Sequence, residues 1–528
     1  MLRFTADSMH VLLLRPVPGN ERFGLGPFFR IEPLGMEYIA AALEAQRHRV
    51  TLADLRFSRS LEHQIRSHRP DLVGVAAMHA LETDDVVALA SKVRRLAPGV
   101  PIVVGGHSAA AYPHPFLTDP VDAVVQDDGE RALPRIANAL ASGRSLRDVA
   151  GLTVRDRSGD TFATPTDSSP FELDEVPLPA RHHVAPWRKQ YACLAHRPTW
   201  LIETARGCPF RCSFCSIWQL HARSVRERSI ESVCRDFAES GGDVFIADDL
   251  FWYHPARSLA LADALRRLGI RKRWILVQSR VDLVARNADL LEAWRPLAKE
   301  FDIFFGLEAA TNEGLSDLKK DATVDQTAQG VEVARALGYG VTGNFVIDPD
   351  WREADFEHLW GFVERHRLFQ AGFTILTPLP GTAYFEEMRP RVASRPWAHF
   401  DMHHLLWEPA LGPQRFFELY CETWRRSVLN LRGRKSLWQW VREVEPRNLL
   451  FLLRALKRTQ RMMSPDHYVA EYDLAPHSTR NAPGSIGAFG FTSSNVISLD
   501  SPPANDMRIA VSSSDVRSTH NSSRVSAS

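Results

Sequence analysis

Twice along this chain, short apolar runs alternate with helical segments, and that alternation restricts the fold to parallel α/β architectures. The first series fills residues 1–150. Residues 10–15 (HVLLLR), 49–53, 72–77 (LVGVAA), 101–104 and 123–126 read as strands, and 33–47, 61–68, 83–96 and 130–141 as helices. Within 33–47, Leu34, Ile39, Ala42, Leu43 and Ala45 gather on one side. Strands without polar alternation are buried on both faces, so the expectation is a doubly wound sheet. Ligands of such sheets sit at the carboxyl ends of the strands. Met78 and His79, then Gly105, Gly106 and His107, and then Asp127, Asp128, Gly129 and Glu130 all fall there.

Residues 151–192 are rich in Pro, Asp and Ser and hold no sustained period, which predicts a linker laid across the surface. A second series follows, with strands expected at 200–203, 243–247, 274–278, 303–307, 343–348 and 373–377. Six βα repeats in succession argue a partial (β/α)6 barrel over 193–395. Residues 396–474 turn helical and aromatic. Within them, 429–463 interleaves Trp438, Trp440 and Phe451 with arginines and lysines, and Glu443 and Glu445 are its only acids. The stretch 475–528 is rich in Ser, Asn, Pro and Gly and is expected to be a disordered tail.

A chain of 528 residues exceeds one ordinary core, in keeping with several domains. Its net charge of +1 gives no global attraction to nucleic acid or to an anionic membrane. No recognisable RNA-binding module precedes or follows the barrel. The apolar run at 11–14 lies between Arg3 and Arg15 without a small-residue cleavage site, and no run reaches the roughly 18–20 apolar residues of a membrane span. A cytoplasmic protein is expected.

Of six cysteines, Cys208, Cys212 and Cys215 fall within eight residues, while Cys193, Cys234 and Cys421 are scattered. In a cytosolic chain this cluster argues metal binding rather than disulfides. Three thiolates hold three irons of a cubane and leave the fourth open. An open iron has no use in an electron relay but suits chelation of a substrate's amino and carboxylate groups. The alternative is a zinc knuckle, for which His221, six residues past Cys215, is poorly spaced.

The motif C-x3-C-x2-C after the first strand of a partial barrel, with Phe214 before its last cysteine, resembles the radical S-adenosylmethionine superfamily. In that family the open iron binds S-adenosylmethionine, and an electron entering its sulfonium yields a 5′-deoxyadenosyl radical. The resemblance implies cofactor contacts at several strand ends. Asp248 and Asp249 stand where many members have Gly-Gly-Glu. Gln278 and Arg280 end the third strand, with Arg280 suited to the methionyl carboxylate. Glu308 ends the fourth and could accept from a ribose hydroxyl. Each of these also has a plain reading as a strand-end polar residue.

The preceding doubly wound domain resembles the cobalamin-binding domain of B12-dependent radical enzymes, through Gly105, Gly106 and His107 and through Asp128, Gly129 and Glu130. The cobalt-ligating pattern D-x-H-x-x-G is absent. The resemblance then implies cobalt without a protein ligand below, and Met78, His79 and His107 as pocket residues. The implied activity is transfer of methyl from methylcobalamin to an unactivated carbon. The blocks at 25–35 (LGPFFRIEPLG), 244–252 (VFIADDLFW), 343–351 (GNFVIDPDW), 377–382 (TPLPGT) and 417–426 (FELYCETWRR) are similar to the bacterial hopanoid C-3 methylases. That likeness implies a hopanoid lipid substrate, an electron donor, and a job for 429–463 as a peripheral contact with the inner membrane face. A solvated helical cap explains 429–463 equally. Another C-methylase, a tetrapyrrole ring-forming enzyme and a cobalamin-binding regulator are the alternatives.

Overall fold

The computed structural model describes residues 8–17, 29–428 apart from 157, 168, 170, 194–195, 369–370 and 393, and then 457 and 463–473. The basic aromatic segment expected at 429–463 and the tail expected from 475 lie outside the described residues, except for positions 457 and 463.

The N-terminal sheet is built on β1 (His10–Arg15), β2 (Arg49–Asp54), β3 (Leu72–Ala76), β4 (Ile102–Gly105) and β5 (Ala123–Val125), all parallel, in the order β2-β1-β3-β4-β5. The reversal between β1 and β3 sends successive crossovers to opposite faces. Strand β1 records this directly. Val11 and Leu13 pack with Met36, Leu43, Leu133 and Ile136 in one core. Leu12 and Leu14 pack with Leu61, Ile65, Val86 and Val93 in another. The unbroken apolar run Val11 to Leu14 of β1 is therefore what a strand sandwiched between two helical layers requires.

The segment expected as a linker does more than cross the surface. Leu152–Arg155 (β6) pairs antiparallel with β5, and Thr161–Ala163 (β7) pairs with β6. Leu152 and Val154 turn inward, and Gly159, at φ +96°, makes the turn. A strand of four residues among Pro, Ser and Asp offers too short an alternation to be read from sequence. Further along, Leu173, Val176, Val184 and Tyr191 are buried.

The second sheet holds β8 (Trp200–Ile202), β9 (Asp243–Ile246), β10 (Lys272–Ser279), β11 (Ala298–Glu308), β12 (Gly340–Ile347) and β13 (Gly372–Ile375), parallel and in sequence order. With no reversal, right-handed crossovers put every helix on one face. Ile202, Val244, Ile246, Ile275 and Val277 bury that face against the helices. The other face of the first three strands carries Leu201, Phe245, Trp274 and Leu276, which pack on Leu34, Tyr38 and Ala42 of the helix Leu34–Ala45. That N-terminal helix thus covers part of the inner face of the second sheet.

Beyond β13, the helices Pro413–Val428 and Pro465–Asp473 pack together. His404 is clamped there, its Nδ1 3.0 Å from both Asp401 oxygens and its Nε2 3.0 Å from Glu471. These two carboxylates raise His404 to about 9 despite its burial. His399 stacks on it with the ring planes 6° apart, so a single cation could not lie in both ring planes.

Candidate active site

The cysteine loop begins where β8 ends. Ala205–Arg206 pairs antiparallel with Arg226–Glu227, a two-residue ladder that closes the loop at its base. Gly207, at φ +99°, starts the loop, and a Cβ there would collide with the Ser224 carbonyl oxygen. Only glycine fits this position without strain. Cys212 is buried, and Cys208 and Cys215 are half-buried; all three are free thiols. The Cys212 carbonyl accepts from the Cys215 amide at 3.2 Å and from the Trp218 indole at 3.1 Å. The Ser213 amide donates to the Leu318 carbonyl at 3.1 Å. Burial pushes all three thiols up, Cys215 to about 12, while the charges of Lys320 and Arg280 oppose this at Cys212. The candidate fourth ligand, His221, faces Arg226 at 3.3 Å instead. Three soft donors on one loop, with cations beside them, fit an iron–sulfur cubane with one open iron.

Asp248 and Asp249 brace this loop. Asp248 is buried and accepts from both the amide and the hydroxyl of Thr204, each at 2.6 Å, and burial lifts its carboxyl to about 7. Asp249 accepts from the Gly207 amide at 2.8 Å. Arg280 lies 3.7 Å over the Phe210 ring, and its guanidinium donates to Asp282 and to the carbonyls of Lys320 and Asp321. The Gln278 carbonyl accepts from the Phe251 amide, and Phe214 is half-buried on the loop. Glu308 stands at φ +62°, a conformation that costs a non-glycine residue about 1–3 kcal/mol. Its carboxylate meets the Lys320 ammonium at 2.8 Å, both buried. Sequence reasoning missed Lys320, whose only signal was a Lys-Lys pair after the fourth strand. A cleft of about 840 Å3 opens beside the loop, lined by Phe210, Arg223, Tyr253, Leu315 and Lys320 among others.

The carboxyl edge of the N-terminal sheet faces the same loop. Val17 and Met78, just past the ends of β1 and β3, are 50% and 48% exposed, among the few large apolar side chains left open in the described residues. They flank the point where strand order reverses, and a large flat ligand would cover them, so the residues present fit a corrin. Gly106, at φ +117°, brings β4 against β3; a Cβ would stand 2.7 Å from the Ala77 carbonyl oxygen. Gly129 is equally tight, against Ile39. The amides of Met78 and His79 donate to Glu82. His107, its ring pushed down to about 4 by burial, has its Nε2 2.7 Å from the hydroxyl of Ser216, the residue after Cys215. Asp128 and Glu130 each meet Arg206 at 2.7 Å, and Asp128 also meets Arg226 at 2.6 Å. The two halves of the expected site therefore converge on the base of one hairpin.

Residues 28–137 match the B12 binding domain model and 202–363 the radical SAM superfamily model. The hopanoid C-3 methylase of Methylococcus capsulatus is 30% identical over 399 residues, covering 74% of this chain and 75% of that protein. The chain belongs to the cobalamin-dependent radical S-adenosylmethionine methyltransferases. Like other members of this family it uses a [4Fe-4S] cluster, S-adenosylmethionine and cobalamin. An anaerobic magnesium-protoporphyrin IX monomethyl ester cyclase of Rubrivivax gelatinosus is 24% identical to this methyltransferase over 444 residues, 80% of this chain and 78% of that one. In fold it is similar to OxsB with aqua-cobalamin and S-adenosylmethionine bound (TM-score 0.63, 16% identity, 89% of this chain and 75% of that one). It is likewise similar to TsrM from Kitasatospora setae with cobalamin and a [4Fe-4S] cluster (TM-score 0.58, 20% identity, 74% and 76%). Among the described residues, no helix is long and apolar enough to cross a membrane.

Proposed function

We propose that this methyltransferase acts on an unactivated saturated carbon of a membrane triterpenoid, C-3 of the hopanoid A ring. The observation that carries this reading is the 30% identity to a hopanoid C-3 methylase across three quarters of that protein. When bound, the cluster and S-adenosylmethionine supply hydrogen abstraction, and cobalamin supplies the methyl group. The chain's own residues hold and shield these groups. Cys208, Cys212 and Cys215 would hold three irons of the cluster, with Phe214 beside Cys215. Asp248 and Asp249 fix the loop through Thr204 and Gly207. Gln278, Arg280 and Glu308, the last with its partner Lys320, form the polar wall on which a zwitterionic amino acid portion would sit. Met78, His79 and His107 would border the corrin, Gly105, Gly106 and Gly129 keep the backbone close-packed at the strand ends beneath it, and Asp128 and Glu130 anchor this edge of the N-terminal sheet to the barrel.

The domains follow the same division: cobalamin binding within 1–150, the radical barrel within 193–395, and a C-terminal region reaching 474 whose segment 429–463 touches the inner membrane face. A second reading, a tetrapyrrole substrate, is favoured by the cyclase relative and by a bacteriochlorophyllide d C-12(1)-methyltransferase of Chlorobaculum tepidum, 26% identical over 288 residues. Expression in a hopanoid-making host, followed by lipid mass spectrometry, separates the two. A 3-methylhopanoid that vanishes in Cys212→Ala supports the first reading. No methylated hopanoid from enzyme loaded with both cofactors refutes it.

A further inference from the structure

Arg206 is the most heavily engaged side chain where the two sheets meet. It sits on the two-residue ladder that closes the cysteine loop, one position before Gly207. Its Nε donates to Glu203 at 2.8 Å, Nη1 to Asp128 at 2.7 Å, and Nη2 to Glu130 at 2.7 Å and to Glu203 at 3.0 Å. Asp128 immediately precedes the helix Gly129–Ala141 and Glu130 lies in its first turn, shortly after β5. A helix start favours carboxylates, which lowers the cost of keeping these two acids charged there. The ladder partner, Arg226, donates to both Asp128 oxygens, at 2.6 and 3.1 Å. Side-chain exposures of 14% for Arg206, 15% for Asp128 and 6% for Glu130 keep solvent screening small. A second tether runs from His107 to Ser216 at 2.7 Å. One end of each tether is on the carboxyl edge of the N-terminal sheet, and the other is on or beside the cysteine loop.

We propose that Arg206 is a positioning residue that ties the cysteine loop to the cobalamin-facing edge of the N-terminal sheet, so that occupancy of one cofactor site orders the other. The inference rests on the placement of cobalamin and cluster given above, and not on the identity of the substrate. A planar fork is needed because three carboxylates approach from different directions. Lysine keeps the charge but offers one nitrogen and cannot span them.

Amide hydrogen exchange, measured on the full chain before and after loading with hydroxocobalamin, tests this. In wild type, cobalamin should slow exchange across residues 205–227 about fivefold or more, a minimal coupling between two sites. In Arg206→Lys and Arg206→Gln the corrin absorbance should still titrate to one equivalent, while the slowing across 205–227 falls below about twofold. A merely structural role would raise exchange throughout the hairpin yet leave the cobalamin-dependent difference intact. That result, or a wild type whose hairpin ignores cobalamin, overturns the proposal. Should Arg206→Gln fail to fold, Arg206→Lys decides alone. No step requires a lipid substrate, so failure of the hopanoid assignment leaves this test standing.

Discussion

Gly207→Ala should empty the cluster site while leaving the fold in place. Placing alanine at φ +99° costs about 1–3 kcal/mol of backbone strain. The new methyl would collide with the Ser224 carbonyl oxygen and stand 3.2 Å from the His221 Cβ. Relief requires either moving Ser224, whose amide donates to the His221 carbonyl at 2.9 Å, or pulling residue 207 from Asp249. A hydrogen bond to a charged acceptor is worth about 1.5–3 kcal/mol. Together these come to roughly 2.5–6 kcal/mol against the cluster-binding geometry, a loss of about two to four decades in affinity. None of the hydrophobic cores includes the loop, so the melting transition of the cluster-free chain should stay where it is. Anaerobic iron–sulfide titration, followed by visible absorbance and iron content, reads the affinity. A Gly207→Ala chain that fills with iron at the wild-type midpoint refutes the account of the loop.

Lys320→Met should destabilise the protein by about 3–5 kcal/mol in denaturant unfolding, because it strands the buried Glu308 carboxylate. Adding Glu308→Gln should recover most of that loss; a double variant no better than Lys320→Met would contradict the pairing. His404 is charged in the fold, held above its ordinary value to about 9 by Asp401 and Glu471. Its contribution is therefore fully present below about pH 6.5 and disappears as pH rises through about 9, on the order of 3 kcal/mol in all. Thermal unfolding across that window should show the wild type falling and His404→Gln flat, and parallel curves would exclude His404 as the cause.

What could be read from sequence was whatever is local along the chain. Strands such as β1 and β10 are buried on both faces, and their unbroken apolar runs announce that. The three cysteines lie on one loop, so their spacing alone carried the chemistry. The β6–β7 hairpin escaped because four residues among prolines and serines hold barely one period. The bracing role of Asp248 and Asp249 escaped too, since their partners Thr204 and Gly207 lie more than forty residues earlier. Arg206 and Arg226 gave no signal at all: their partner Asp128 is separated from them by 78 and 98 positions, and nothing in the intervening sequence marks the pairing.

The helix Leu34–Ala45 belongs to the N-terminal sheet by connectivity, yet its outer side covers Leu201, Phe245, Trp274 and Leu276 of the barrel. The barrel cut away from its partner would present those side chains to water as a sticky face. Neither half is then a portable module. Any chimera that borrows a cobalamin domain from another member of the family must carry over the matching side of this helix as well, and substitutions on either surface are constrained by the other.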